Sequence, residues 1–458
     1  MQANHSVPFP PMLKNQAVIA LIGLAALELE FGAMARLGDL RLHVIETIIL
    51  ALAAGAVYCV ALYALEHSAE NRAAFWLILA GALLFRLTLA PLPPTLSTDM
   101  YRYRWDGRVQ NAGWNPYLVN ALDPRLESLR DPTWSGMPGP EVPAIYPALA
   151  ELIFRGTARI THSALGFKTP FVLADLLVVA MLAGWLRSSG GRNYQLAVYA
   201  WSPLIIVEFA ASGHSDALAI AFFVAALMII RRRPGVSSTV AMTAGALVKL
   251  FPITLLPLAV RLAGWPRRLR GWVAAAAACA LAAACAWPYR SAAGQLPQTF
   301  SYYRRMWQNY NPSIYGVLLW LTGRPALAAG IGEAVVLALA VWVAARKIEP
   351  ARAAFLVVGA ILIFAPNGYS WYFTWIVPLL CFFPSPAWIL LTVLQFLSYN
   401  VLIAYQITGE FRFAPLFQWL TYAPFYVLLV WELISRRGAF ASKGGRSAPL
   451  AIGSESQT

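Results

Sequence analysis

Residues 73–108 read AAFWLILAGALLFRLTLAPLPPTLSTDMYRYRWDGR: an apolar run interrupted only by Arg86, a short Pro-rich connector, then charges interleaved with aromatic rings. A run of about this length is what a bilayer-crossing helix requires. The abrupt change after it marks the point where the chain leaves hydrocarbon.

Comparable runs recur on both sides, at 16–37, 42–65, 169–186, 194–211, 217–230, 271–289, 326–345, 351–366, 371–383, 387–405 and 415–435. With 73–90 they make twelve expected crossings in a chain of 458 residues. Only 12% of the residues are charged while 59% are hydrophobic, against roughly 25% charged in soluble proteins. The expected fold class is therefore an all-α polytopic membrane protein. The opening MQANHSVPFPPMLKN lacks a compact basic region, and the first run carries Glu28 and Glu30 with no cleavage site after it. It is expected to be a retained helix, not a signal peptide.

One segment resists assignment as a straight crossing. Residues 237–262 follow Arg231, Arg232 and Arg233 and precede Arg267, Arg268 and Arg270, so both ends favour the cytoplasm. Their centre, GALVKLFPITLLP, contains Lys249, Pro252 and Pro257. Proline removes a backbone donor and breaks a helix, which predicts a broken, re-entrant segment facing a cavity. That arrangement places the N- and C-termini in the cytoplasm. The net charge of +14 then reads mainly as a topology signal and not as a nucleic-acid surface. One membrane domain is expected over 1–436, with 91–160 as a large outer loop whose segment 144–160 is an interfacial helix. A disordered cytoplasmic tail is expected over 437–458.

Four polar segments share the outer face in this topology: the loop after 90, the turn SGHSDA at 212–217, the loop QTFSYYRRMWQNYNPS at 298–313, and the turn containing NGYSWY. Charges among rings suit a sugar or a phosphate, although an aromatic belt with snorkelling arginines is the ordinary alternative. The four cysteines lie singly in apolar stretches, so neither a disulfide framework nor a metal site is expected. No phosphate-cradling glycine loop is present, which argues against a soluble nucleotide-sugar donor; no cofactor is expected.

On STDMYRYRWDGRVQNAGWNPY, PAIYP, GHSDALA, LVKLFPITLLPL and NGYSWYFTWIVPLL, occurring in this order from Asp99 to Pro378, the chain resembles the membrane-embedded GT-C glycosyltransferases. Within them it resembles glycosyltransferase family 87, the polyprenyl-phosphate-mannose-dependent mannosyltransferases. The resemblance implies a bacterial inner-membrane enzyme that moves a hexose, by kinship mannose, from a polyprenyl phosphate to a lipid-linked or envelope glycan acceptor. It implies inversion, and an acidic residue of the first large outer loop as base. In this chain that residue is Asp99. The family's loop follows its first helix, whereas here it follows the third; two added crossings leave the sidedness unchanged.

The chemistry fits these residues. A carboxylate can take the proton of an acceptor hydroxyl, and cations can meet the charge developing on a phosphate leaving group. Arg102, Arg104, Arg304 and Arg305 are the candidate phosphate partners. Asp106 competes with Asp99 for the role of base, and spacing alone does not separate them. His214 and Asp216, with Glu208 just before them, could bind sugar hydroxyls or tune the base; Ser215 or Asp216 could instead cap the following helix. Lys249 could contact the phosphate or pair with a carboxylate, and Tyr372, with Trp371, Tyr302, Tyr303 and Trp307, could stack on sugar or isoprenoid. Asp175 and Glu333 are intramembrane acids open to function or pairing, and Arg86 reads as a snorkelling residue. A transporter or flippase of a lipid-linked saccharide is the rival class, but it would place polar residues along both sides of a pathway.

Overall fold

The computed structural model describes residues 15–306, 308–410 and 413–444, with backbone alone over 436–444. The described residues are overwhelmingly helical. Nine helices among them are long and apolar enough to cross a membrane, each on one of the expected runs. The chain is thus a polytopic all-α membrane protein.

Three helices open it: α1 (Gln16–Arg36), α2 (Val44–Glu66) and α3 (Arg72–Leu89). Asn15 and Asn71 accept hydrogen bonds from the amides of Ala17 and Ala73 and so start α1 and α3. Arg86 does not snorkel. Its guanidinium is fully buried and binds Asp175 at 2.6 Å, with Tyr199 donating to the same carboxylate at 2.8 Å. In hydrocarbon a partner held inside the bundle satisfies the charge without a route to water.

Two helices lie in the long loop, α4 (Asp99–Asn111) and α5 (Ala148–Ile160). They pack tightly because Gly107 leaves no side chain between α4 and the Phe154 carbonyl, and Tyr103 stacks on Phe154 with centroids 4.5 Å apart. The expected amphipathic segment is thus a helix folded against the charged one.

Next come α6 (Ala164–Ser188), α7 (Asn193–Ala200), α8 (Pro203–Ile206) and, after a π-helical turn at Val207–Ala211, α9 (Asp216–Arg232). Such a turn inserts a residue into the helical ladder and commonly accompanies function. Lys168, fully buried, donates to the carbonyls of Leu92, Ala210 and Ala211 at 2.7–3.0 Å, tying the turn to the loop that leads to Asp99.

The broken segment is α10 (Val236–Ala246), a 3-10 turn over Phe251–Leu255, and α11 (Leu256–Leu262). Its tip meets the long loop, where Leu149 and Ala150 donate to the Leu247 carbonyl. Its feet lie at the opposite end: Gly235 sits beside Arg270, and Arg261 donates to the carbonyls of Ala344 and Arg346. The hairpin form predicted from charge and proline is what the contacts describe. Helix α12 (Leu269–Ala286) then returns to the loop end, where Tyr289 donates to Gln110 at 2.7 Å.

The remaining helices are α13 (Leu296–Met306), α14 (Ile314–Thr322), α15 (Pro325–Ala345), α16 (Pro350–Phe364), α17 (Val377–Leu380), α18 (Pro386–Leu394), α19 (Val401–Thr408) and α20 (Pro415–Gly444). Two expected crossings, 217–230 and 351–366, are helices of 17 and 15 residues. The expected crossing at 371–383 is different. It forms a 3-10 turn at Ser370–Trp375 and the single turn α17, packed in the interior. Thirteen residues ending at Phe383 are too few for a bilayer-length helix, and their burial comes from neighbouring helices. Of the expected tail, α20 extends to Gly444, and 445–458 lie outside the described residues.

Candidate active site

At the loop end of the bundle, the connector 95–99, the segment 135–146, the hairpin tip, the Tyr369–Tyr372 turn and the start of α19 enclose a cavity of about 990 Å³. Asp99 opens α4 and lines this cavity, its side chain 22% exposed. Burial pushes its carboxyl up to about 6, with Asp216 reinforcing the rise and Lys249 and Arg102 opposing it. A carboxylate raised toward neutrality yet open to a cavity is suited to accept a proton.

The neighbouring acid is arranged differently. Asp106 is 1% exposed, receives the Arg102 Nε at 3.0 Å on both oxygens, and does not line the cavity. The same guanidinium donates to the carbonyls of Gly139 and Val142 at 2.9 and 2.8 Å. Arg102 therefore holds the 135–146 segment onto α4. It reaches the cavity wall with each of its three nitrogens already donating.

Behind Asp99 stands His214, 1% exposed, with Nδ1 4.0 Å from Asp99 Oδ2 and Nε2 3.4 Å from Glu208 Oε2. Burial and nearby Lys249 hold its imidazole well below its usual range, so it is neutral at pH 7. Neither ring nitrogen has a hydrogen-bond partner among the described residues. Catalytic contacts are often this loose before substrate arrives. Gly213 makes the approach possible: its φ is +74°, and a Cβ there would meet the Lys168 side chain at 2.6 Å. The π-helical turn supplies Glu208, whose other oxygen accepts from Tyr399 at 2.7 Å.

Asp216 does not cap α9. Its two oxygens accept from Lys249 Nζ at 3.0 Å and Trp375 Nε1 at 2.7 Å, so it pins the hairpin tip to the Tyr369–Tyr372 turn. Lys249 is thus cavity-lining and paired at once, 5.3 Å above the Tyr372 ring. Tyr372 lines the cavity and stacks on Trp375. Trp371 is sandwiched between Tyr369 and His214, with centroids 4.6 and 4.3 Å away, in a stack that continues to Tyr310. It supports the site and presents little free ring face.

The other expected cations fall elsewhere. Arg104 and Arg108 both bind Asp131, and Arg304 pairs with Glu333 on the surface. Neither Arg104, Arg304 nor Arg305 lines the cavity, though Tyr303 from the same helix does. Trp307 lies outside the described residues. Sequence reasoning passed over Arg41, Tyr146, Tyr399 and Tyr405, all of which line the cavity. The run QFLSYN at 395–400, polar within an apolar span, was the available signal for Tyr399. Among the described residues no group of three or more His, Cys, Asp or Glu side chains is placed to hold a metal ion.

The family model described as alpha-(1->6)-mannopyranosyltransferase, N-terminal domain, matches residues 34–264, a stretch that includes Asp99, Glu208, His214, Asp216 and Lys249. No curated protein and no solved structure matches the chain.

Proposed function

Since the chain belongs to the alpha-(1->6)-mannopyranosyltransferase family, and is therefore a glycosyltransferase that moves mannose, we propose that its donor is a polyprenyl-phosphate mannose and that Asp99 is the base. The acceptor is a hydroxyl of a lipid-linked or envelope glycan. Asp99 takes the hydroxyl proton as the acceptor oxygen forms its bond to the anomeric carbon. On the opposite face of that carbon the bond to the phosphate oxygen breaks, and its electron pair leaves with the phosphate. The result is inversion. A phosphate monoester is already stable as an anion, so no general acid is needed, but cations lower the barrier by meeting its charge.

The observation that carries this reading is the contrast between the two acids: Asp99 is open to the cavity, while Asp106 is closed and bound by Arg102. Lys249, His214, Asp216 and Tyr372 surround the reacting region in this account. The basic ends of the hairpin, opposite the cavity, support placing the reaction on the outer face of the inner membrane with both termini in the cytoplasm.

The test is to supply purified protein with radiolabelled polyprenyl-phosphate mannose and a lipid extract. Label moving from carrier to a new glycolipid is expected. Use of a nucleotide-mannose in its place, with the lipid donor untouched, would contradict the donor assignment.

A further inference from the structure

The cavity walls hold three cations, Arg41, Arg102 and Lys249, and two of them are matched by buried carboxylates, Asp106 and Asp216. Arg41 is the exception. It lies in the short connection between α1 and α2, its guanidinium 4.8 Å above the Tyr405 ring, with no carboxylate within ion-pair distance among the described residues. Its backbone is fixed from below: the Arg41 amide donates to Asp39 at 2.9 Å, and Gln406 donates to the Arg41 carbonyl. The guanidinium is thus held at the cavity edge over a ring face, and no acceptor among the described residues takes its N–H donors. Glu141, on the opposing segment, is exposed and makes no ion pair with it.

From this arrangement we infer that Arg41 is the binding residue for the lipid phosphate of the donor. Beyond the two matched pairs, the charges lining the cavity are one unmatched cation, Arg41, the proposed base Asp99, and the exposed Glu141; Arg41 is thus the cation left to meet an anionic leaving group. Arg41 also sits at the right depth. It is in a turn between two spans, where a lipid headgroup lies, and Val401, Leu402 and Phe413, which line the same cavity, offer an apolar path for the isoprenoid. A guanidinium can bind two phosphate oxygens at once. The loop most easily dismissed as a simple connector therefore supplies a substrate contact, and the first two helices supply the scaffold for it.

This inference rests on the lipid-phosphate donor proposed above, and the experiment separates the two. The full-length protein in nanodiscs is titrated with a polyprenyl monophosphate and with the uncharged polyprenol of equal length. Wild type is expected to bind the phosphate at least tenfold more tightly. Arg41→Gln is expected to lose that preference while binding polyprenol unchanged, and Arg41→Lys, with charge but no fork, to fall between. If the wild type shows no preference for the phosphate, the donor reading fails and takes this inference with it. If the preference survives unchanged in Arg41→Gln, or in Arg41→Lys should the first variant not fold, the donor reading stands and the role of Arg41 is overturned.

Discussion

His214 stands between two carboxylates, its Nδ1 4.0 Å from Asp99 and its Nε2 3.4 Å from Glu208, with its ring stacked on Trp371. Stacking and polarity can be separated by substitution. His214→Phe keeps the ring and removes both nitrogens, so the turnover rate is expected to fall about tenfold with only a small change in melting temperature. This lies below the roughly 10²–10⁴-fold contributed by a group that itself transfers the proton, as expected of a residue that positions Asp99. Steady-state kinetics beside thermal unfolding in detergent checks it; an unchanged rate would show that the nitrogens are idle.

The pH profile of transfer follows from Asp99. Burial raises its carboxyl from 3.8 to about 6, so the basic form is depleted as pH falls through that value. The rate is expected to rise with pH and level off above an inflection near 6. The same shift has a stability consequence. A carboxyl raised in the folded state favours folding most below its unfolded value, and the advantage is lost as pH rises toward 6. Asp99→Asn is thus expected to raise stability at pH 7, by up to about 3 kcal/mol at 1.36 kcal/mol per unit.

Lys249 and Asp216 should behave as a unit. Lys249→Met leaves a buried carboxylate without its cation and is expected to cost roughly 3–5 kcal/mol. Because Lys249 holds the Asp99 carboxyl down and Asp216 holds it up, the acidic limb should move to higher pH in Lys249→Met. Adding Asp216→Asn should return both stability and limb toward wild type. Thermal unfolding and pH–rate curves on the three proteins decide it.

Gly213→Ala places a Cβ against Lys168 in a left-handed backbone conformation. A loss of roughly 1–3 kcal/mol and of most activity is expected, because the clash lies where Lys168 anchors the turn that carries His214. Arg104→Ala and Arg305→Ala should leave the donor KM within about twofold, because neither side chain lines the cavity and exposed or peripheral charges contribute little.

The membrane architecture was legible because hydrocarbon imposes it: apolar runs of bilayer length become helices, and prolines between basic clusters become a re-entrant hairpin. Asp99 was legible as the first acid after a span. Its separation from Asp106 was not, because it depends on Arg102 reaching forward one helical turn to Asp106 and across to Gly139 and Val142. The arginines were misleading for a related reason. Composition places Arg104 and Arg304 near the chemistry, but Asp131 and Glu333, distant in sequence, claim them. Arg41 drew no notice because a short polar turn between two spans is ordinary until the fold brings Tyr405 and the cavity to it. Residues 371–383 were apolar enough to be taken for a crossing, since burial among helices and burial in lipid leave the same hydropathy.

The central claim is that Asp99 takes the acceptor's proton. Its most direct test is transfer of label from polyprenyl-phosphate mannose by purified Asp99→Asn beside Asp106→Asn. Asp99→Asn is expected to fold, still bind the donor, and lose transfer by a factor of about 10²–10⁴, whereas Asp106→Asn is expected to lose stability but keep measurable turnover with the wild-type pH inflection. Near-normal transfer by Asp99→Asn would contradict it.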